Sequence, residues 1–345
     1  MKITHIHIER FRGFQNEDFE VGSLLTAIAG QNGTQKSTLL GIITQTFTLK
    51  TEDSMRVEKP LCGGSYISAF KDKFRLSPTF DKPKGHEWTI SFDAGMDDFT
   101  VESIKRTGDP NVRFWKKGAR QEGDGYISFP TIFLSLKRLV PVAEEAKIIT
   151  DDTLLTQEEL NEFKQLHNKI LIAQTPISSA TTITSKNKQS IGVSTELYDW
   201  NQNSMGQDNL GKIILALFSF KRLHDKYPRQ YKGGILAIDE MDATMYPASQ
   251  VELLKVLRKY ASKLNLQILF TTHSMSLLKA MDDLVQEVTK KEETANQAKI
   301  LYLKKVDDKI AIKQGVNFKG IQLDLNVVAE GNNRKKNRIT AYTED

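Results

Sequence analysis

The sequence predicts an α/β fold: a central, mostly parallel sheet, an antiparallel β layer packed on it, and a helical insertion subdomain. Three observations lead there. Near-continuous apolar runs at residues 24–29, 235–238 and 267–270 read as strands buried on both faces, as strands of parallel sheets are. A helical pattern over residues 248–261 joins the last two, and strand, crossover helix, strand is the unit of a parallel sheet. Each run also ends on residues suited to chemistry: Gly30 after the first, Asp239 and Glu240 after the second, Thr271, Thr272 and His273 after the third.

The elements follow in order. Residues 3–8 alternate, with Ile6 and Ile8 on one side and His5 and His7 on the other, which is strand periodicity. The two histidines have no third ligand nearby, so they read as an exposed strand face rather than a metal pair. After the strand at 24–29 comes an apolar helical pattern carrying Leu39, Leu40, Ile42 and Ile43. Residues 55–125 are rich in Gly, Pro, Asp and aromatics, broken by short β segments such as Trp88-Thr89-Ile90-Ser91-Phe92; these form the antiparallel layer. Residues 129–136 read as another core strand. It ends at Lys137 and Arg138, which fit a nucleotide or partner contact and a solvated strand end equally well.

Thr156 with Glu159 makes a capping box, and Leu160, Phe163, Leu166 and Ile170 share one helical face. The Ser/Thr/Lys-rich stretch 178–190 reads as an exposed, mobile loop or hairpin. A helix over residues 209–225 follows, and after residue 298 a closing hairpin pairs 300–303 with 310–313 before irregular chain. Trp88, Trp115 and Trp200 are packing residues, since their surroundings are not basic enough for nucleic-acid stacking.

At 345 residues the chain fits one domain with an insertion, divided at about 1–136, 137–230 and 231–345. No stretch approaches the roughly 18 apolar residues of a membrane span, and the N-terminus has no signal-peptide core. A single cysteine, Cys62, excludes an internal disulfide and suits a cytoplasmic location. The net charge of +5 permits contact with nucleic acid without arguing for it. The most basic cluster, Arg334, Lys335, Lys336 and Arg338, reads as a solvated tail or as a phosphate or partner contact.

The strongest chemical signal is Gly30-Gln31-Asn32-Gly33-Thr34-Gln35-Lys36-Ser37-Thr38 between a strand and a helix. A phosphate needs backbone N–H donors free of obstruction, a helix N-terminus and a nearby cation. Gly30 and Gly33 permit the turn, Lys36 reaches the β/γ-phosphates, and Ser37 offers its hydroxyl to Mg²⁺. Gln35 departs from the pattern, standing where the motif has glycine, and puts the hydrolysis rate in question. Asp239 at the carboxyl end of a buried strand suits a Mg²⁺ partner, and Glu240 a general base. His273 can donate to a γ-phosphate. Together these residues predict a P-loop NTPase that uses ATP and Mg²⁺.

The same residues carry a family resemblance. Residues 30–38, the run Asp239-Glu240-Met241-Asp242-Ala243-Thr244-Met245-Tyr246-Pro247, and residues 271–274 resemble the ABC-type ATPases of the SMC and RecF group. Within it they resemble bacterial AAA-family proteins that include the overcoming-lysogenization-defect ATPases and the Septu and retron-linked PtuA proteins. The opening Ile8-Glu9-Arg10-Phe11-Arg12-Gly13-Phe14 is similar to the family's first strands, which adds Arg12 to the nucleotide contacts. The resemblance implies a signature motif that completes the ATP site of an opposing subunit. Ser204-Met205-Gly206-Gln207-Asp208 is its candidate, through Ser204, Gly206 and Gln207, with a plain helix-capping turn as the alternative. It also implies a glutamine between the two halves of the core, for which something in residues 74–83 substitutes.

These readings predict an ATPase that dimerises around ATP and controls a partner. About 70 residues follow His273, too few for the nuclease domain that overcoming-lysogenization-defect proteins carry, so nucleic-acid cleavage falls to a separate protein, with a role in anti-phage defence implied by the PtuA-like resemblance. The alternatives are a low-turnover ATP-binding scaffold and a RecF/SMC-like DNA-repair or DNA-binding ATPase. The central insertion is far too short for the long coiled coil of an SMC protein, and transport is the weakest option, with neither a span nor a typical transporter signature.

Overall fold

The computed structural model describes residues 1–66, 73–93, 95–105, 112–118, 124–139, 147–151, 153–185 and 189–325. At its centre is a six-stranded sheet of β16 (Lys309–Lys313), β15 (Ala298–Val306), β3 (Leu25–Gly30), β14 (Leu266–Thr272), β13 (Gly234–Ile238) and β9 (Thr131–Leu134), in that spatial order. The five strands from β15 to β9 run parallel; β16 pairs antiparallel at the edge. The expected crossover is α4 (Pro247–Lys263), joining β13 to β14.

Alternation along the strands explains why their sequences are apolar throughout. Ala27 and Ala29 of β3, Leu236 and Ile238 of β13, and Ile268 and Phe270 of β14 face one core, shared with α3 (Met205–Lys226), α4 and α5 (Met275–Thr289). Ile28, Ala237 and Leu269 face a second core, filled by α1 (Lys36–Thr44) and the antiparallel layer. The central strands β13 and β14 are buried along their whole length, which favours apolar residues on both faces.

The antiparallel layer has the order β2-β1-β5-β6-β7. It comprises β5 (Glu87–Phe92), β6 (Phe99–Lys105) and β7 (Val112–Lys116), extended by the hairpin of β1 (Ile3–Phe11) and β2 (Phe14–Glu20). Its core is aromatic: Trp88 and Phe114 meet edge-on at 5.1 Å, and both pack against Phe11. The β1–β2 register sets Asp18 against His7, at 3.0 Å between Oδ2 and Nδ1, and also against His5, a partner that linear spacing did not reveal. Among the described residues no group of three metal-capable side chains converges.

The helical insertion opens with α2 (Gln157–Leu171), whose capping box is present in full. Glu159 serves both the box and Arg222 of α3, with Oε1 2.7 Å from Nε. The Ser/Thr-rich stretch is a hairpin of β11 (Ser179–Thr184) and β12 (Gln189–Ser194), joined by β10 (Ile149–Asp151). It is not wholly exposed. Ser190, Ile191 and Val193 of β12 are buried against α3, and Gly192 is needed because a Cβ there would lie 2.6 Å from Trp200. After the closing hairpin the chain turns helical at 318–325 rather than irregular, and the basic cluster at 334–338 lies outside the described residues. No helix among the described residues is long and apolar enough to cross a membrane.

Candidate nucleotide site

Residues 30–38 leave β3 at the carboxyl edge of the parallel sheet and enter α1. Gly30 has φ 151° and a Cβ there would lie 2.5 Å from the Leu303 carbonyl, so glycine is required. Gly33 has φ 81° with open space on its Cβ side, leaving that side of the loop free for a ligand. Lys36 is buried and folds back over the loop, its ammonium donating to the carbonyls of Gly30 and Gln31, each at 3.0 Å. Burial lowers its pKa, opposed by the carboxylates of Glu240, Asp239 and Asp242. Thr34 donates to the Gln31 carbonyl at 2.8 Å and pins the turn; Asn32 stands exposed at its crest.

Gln35 occupies the left-handed region at φ 64° and ψ 31°, immediately before α1. The expected constraint is therefore real, because a side chain there costs about 1–2 kcal/mol relative to glycine. Its amide leans on the turn between β1 and β2, where Oε1 accepts from the Gly13 N–H at 3.4 Å. A Cβ at position 13 would meet Gln35 Nε2 at 2.7 Å, so Gly13 makes room for Gln35.

Ser37 donates its hydroxyl to Asp239 Oδ1 at 2.9 Å, which brings the two expected metal-side residues together. Thr271 donates to the same oxygen at 2.8 Å and accepts from the Glu240 N–H at 2.6 Å. One threonine of β14 thus fixes both acidic residues at the end of β13. A hydroxyl and a carboxylate this close are hard oxygen donors of the kind Mg²⁺ selects. Glu240 has φ 49°, so the chain turns abruptly after the strand and leaves its side chain half-buried at the sheet edge. His273 follows β14 directly, with its backbone N–H 3.4 Å from Asp242 Oδ1, exposed on the same edge.

Arg12 lies beside the loop. Its Nη1 is 3.4 Å from Thr38 Oγ1, while Nε and Nη2 grip the buried Asp81 carboxylate at 3.1 and 3.0 Å. Burial alone would raise the Asp81 pKa, but the hydrogen bonds from Arg12 and the Ser77 N–H outweigh it and hold the carboxyl below its usual value. Within residues 74–83, where a substitute for the family's glutamine was expected, the structure places the Asp81 carboxylate beneath Arg12. The strand beside β13 is β9, and its end carries a group that sequence reasoning left ambiguous.

That group is Arg138, neither a solvated strand end nor an open contact: it is 2% exposed. Nη2 donates to the Glu240 carbonyl at 2.8 Å, Nε to Asn209 Oδ1 at 2.7 Å, and Nη1 to the Leu134 and Ser135 carbonyls at 3.2 and 3.1 Å. Burial pushes its pKa down to about 10, against the pull of Asp239, Glu240 and Asp242, so it is charged at neutral pH. Asn209 passes the connection on, its Nδ2 donating to the Ala243 carbonyl at 2.9 Å.

Ser204 caps α3 in a reciprocal box with Gln207, and Gln207 Nε2 reaches the Tyr198 hydroxyl at 2.8 Å. Gly206 packs so closely that a Cβ would lie 2.5 Å from the Thr244 carbonyl. The polar contacts of Ser204 and Gln207 run to each other and to Tyr198 rather than to residues 30–38 of the same chain.

Comparison with known proteins bears on the fold that carries these residues. Residues 135–278 match the AAA ATPase domain family. An SMC head bound to the C-terminal winged-helix domain of ScpA superposes with a TM-score of 0.51 at 14% identity, covering 93% of this chain and 100% of that one. The SMC head domain of Thermotoga maritima gives 0.49 at 14% identity, covering 92% and 100%. The Pyrococcus furiosus SMC head bound to the C-terminal domain of ScpA gives 0.49 at 12%, covering 95% and 99%. No curated protein matches the sequence. The chain has the ABC-type α/β fold of SMC heads, and its residues 135–278 are similar to the AAA ATPase domain family.

Proposed function

We propose that this chain binds and hydrolyses ATP as an ABC-type ATPase, closes with a second copy around the nucleotide, and thereby regulates a separate effector protein. The observation that carries the reading is the unbroken set of contacts Ser37–Asp239–Thr271–Glu240, next to Lys36 at one sheet edge. In this reading Lys36 exchanges its two loop carbonyls for the β/γ-phosphates, and the N–H groups from Gly33 to Thr38 cradle the phosphate chain. Glu240 orients and deprotonates the attacking water, and His273 donates to the γ-phosphate. Ser37 and Asp239 would hold Mg²⁺, which supplies charge neutralisation when bound.

The N-terminal end of α3, with Ser204 exposed, Gln207 half-buried and Gly206 packed behind them, suits the γ-phosphate of a second copy. The SMC head that superposes with a TM-score of 0.51 was captured with the winged-helix domain of ScpA, which supports a protein partner for this chain. The PtuA-like resemblance supports a nuclease acting in anti-phage defence as that effector; co-purification from the native operon tests it.

Phosphate release by the purified chain is the direct test. Glu240→Gln should keep ATP binding, lose turnover by about 10²-fold or more, and migrate as an ATP-held dimer. Lys36→Ala should lose binding itself. Turnover unchanged in Glu240→Gln would sink the reading. A second reading, a low-turnover ATP-binding scaffold, is favoured by the left-handed Gln35; it predicts binding and dimerisation in the unmodified chain with negligible phosphate release.

A further inference from the structure

A buried amide stands between the turn that carries Glu240 and the start of α5, and no step above employs it. Gln250, in the first turn of α4, is 6% exposed, and both polar atoms of its side chain are engaged. Nε2 donates to the Met245 carbonyl at 2.7 Å and to the Asp242 carbonyl at 3.2 Å, while Oε1 accepts from the Ser274 hydroxyl. This set fixes the orientation of the amide, because a flipped amide would turn its oxygen toward two carbonyl oxygens.

The partners belong to two segments of the nucleotide edge. Asp242 and Met245 lie in the turn after Glu240, and that turn does not support itself. Glu240 at φ 49° and the β-branched Thr244 at φ 66° both sit in the left-handed region, which surrounding contacts must hold. Ser274 follows His273 directly and caps α5, its hydroxyl oxygen accepting from the Leu277 N–H at 3.2 Å. The His273 side chain is exposed, so the reach of its imidazole is set by the backbone that carries it. That backbone meets the turn through the His273 N–H, 3.4 Å from Asp242 Oδ1, which is long for a hydrogen bond. The bridge from Ser274 through Gln250 to Asp242 and Met245 is the firmer link. A glutamine serving only to close the turn would end at the two carbonyls; this one continues to the residue beside His273.

We propose that Gln250 is a positioning residue for the γ-phosphate step, holding the segment of His273 against the turn of Glu240 so that donor and base face the same phosphate. The proposal rests on the nucleotide reading above. The test measures ATP affinity and kcat in the full chain, unmodified and as Gln250→Leu, with and without His273→Ala. Gln250→Leu should lower kcat by about 10- to 100-fold, the cost of a misplaced group, and leave ATP affinity within about 3-fold. In the His273→Ala background it should lower kcat by less than about 2-fold further, because the group it positions is gone. Ser274→Ala cuts the same bond from its half-buried end and carries the same comparison where Gln250→Leu does not fold.

Unaltered kcat in Gln250→Leu, or a loss that is undiminished in the His273→Ala background, overturns the proposal and leaves the nucleotide reading intact. An unmodified chain that binds ATP without turnover also overturns it, since there is then no step to position. An unmodified chain that binds no ATP overturns the nucleotide reading and this inference with it.

Discussion

Arg138→Met removes the one buried cation that joins the strand end at β9, the turn carrying Glu240 and the start of α3. Of its four hydrogen bonds, those to Leu134 and Ser135 stay within its own turn; those to Asn209 and Glu240 cross between elements. A hydrogen bond involving a charged group contributes about 1.5–3 kcal/mol, so the two crossing bonds set a ceiling of about 3–6 kcal/mol. Methionine fills much of the volume and relieves the burial of a charge, which offsets part of that loss. The expected destabilisation is about 2–4 kcal/mol.

The catalytic consequence is sharper. Glu240 is held at φ 49°, a conformation that persists only when its surroundings over-determine it, and the Arg138–carbonyl bond is one of the constraints. Without it the carboxylate loses its fixed place while residues 30–38 keep theirs. ATP affinity should stay within about 3-fold while kcat falls about 10-fold or more, a split that general destabilisation of a folded protein does not produce. Arg138→Lys, which keeps the charge but not the fork, should fall between. Denaturant unfolding, ATP titration and steady-state hydrolysis read the three quantities. Unaltered kcat in an Arg138→Met protein that is measurably less stable would show the arginine to be structural only.

Gln35→Gly relieves about 1–2 kcal/mol of left-handed strain but adds about 0.5–1 kcal/mol of unfolded-chain entropy, so stability should rise by about 0–1.5 kcal/mol. The freed loop should raise turnover in the phosphate-release assay; a fall would mean that the amide against Gly13 holds the loop in its working shape. His167, buried beside Phe163 on α2, gives the pH prediction. Burial, offset only in part by Asn168, pushes its imidazole from 6.5 to about 4. The unfolded chain therefore binds the proton first, and stability contributed by the neutral ring is complete above pH 6.5 and lost as pH falls toward 4. The loss approaches about 3 kcal/mol, and in His167→Leu the unfolding free energy should fall less steeply over that window.

The residues that sequence showed and those it hid differ in how far apart their partners lie. The capping box of Thr156 and Glu159 closes over three residues, so its geometry follows from spacing alone. Gln35 was visible as an anomaly because a strand, a loop and a helix fix where glycine belongs. Arg138 was not, because its partners stand 71 and 102 positions away and a lone Lys-Arg pair after a strand has the composition of a solvated end. Asp81 was hidden likewise, 69 positions from Arg12. The Ser/Thr-rich hairpin misled on exposure: its β12 strand is buried by packing on α3, which local composition does not encode.

What pairing adds is order. Sequence places chemistry at the ends of separate strands, but only the sheet shows that β3, β14, β13 and β9 are consecutive neighbours. Their carboxyl ends deliver, side by side, the loop with Lys36 and Ser37, then Thr271 and His273, then Asp239 and Glu240, then Arg138. Thr271 can touch Asp239 and Glu240 because its strand lies between theirs and that of the phosphate loop. Arg138 reaches the Glu240 carbonyl because β9 flanks β13 on the other side. The acidic pair is therefore braced from both neighbouring strands, and the outer brace is shared with Asn209 at the start of α3. A shift of α3 on contact with a second copy would act first on that shared arginine, and through it on the carbonyl of the residue assigned as base.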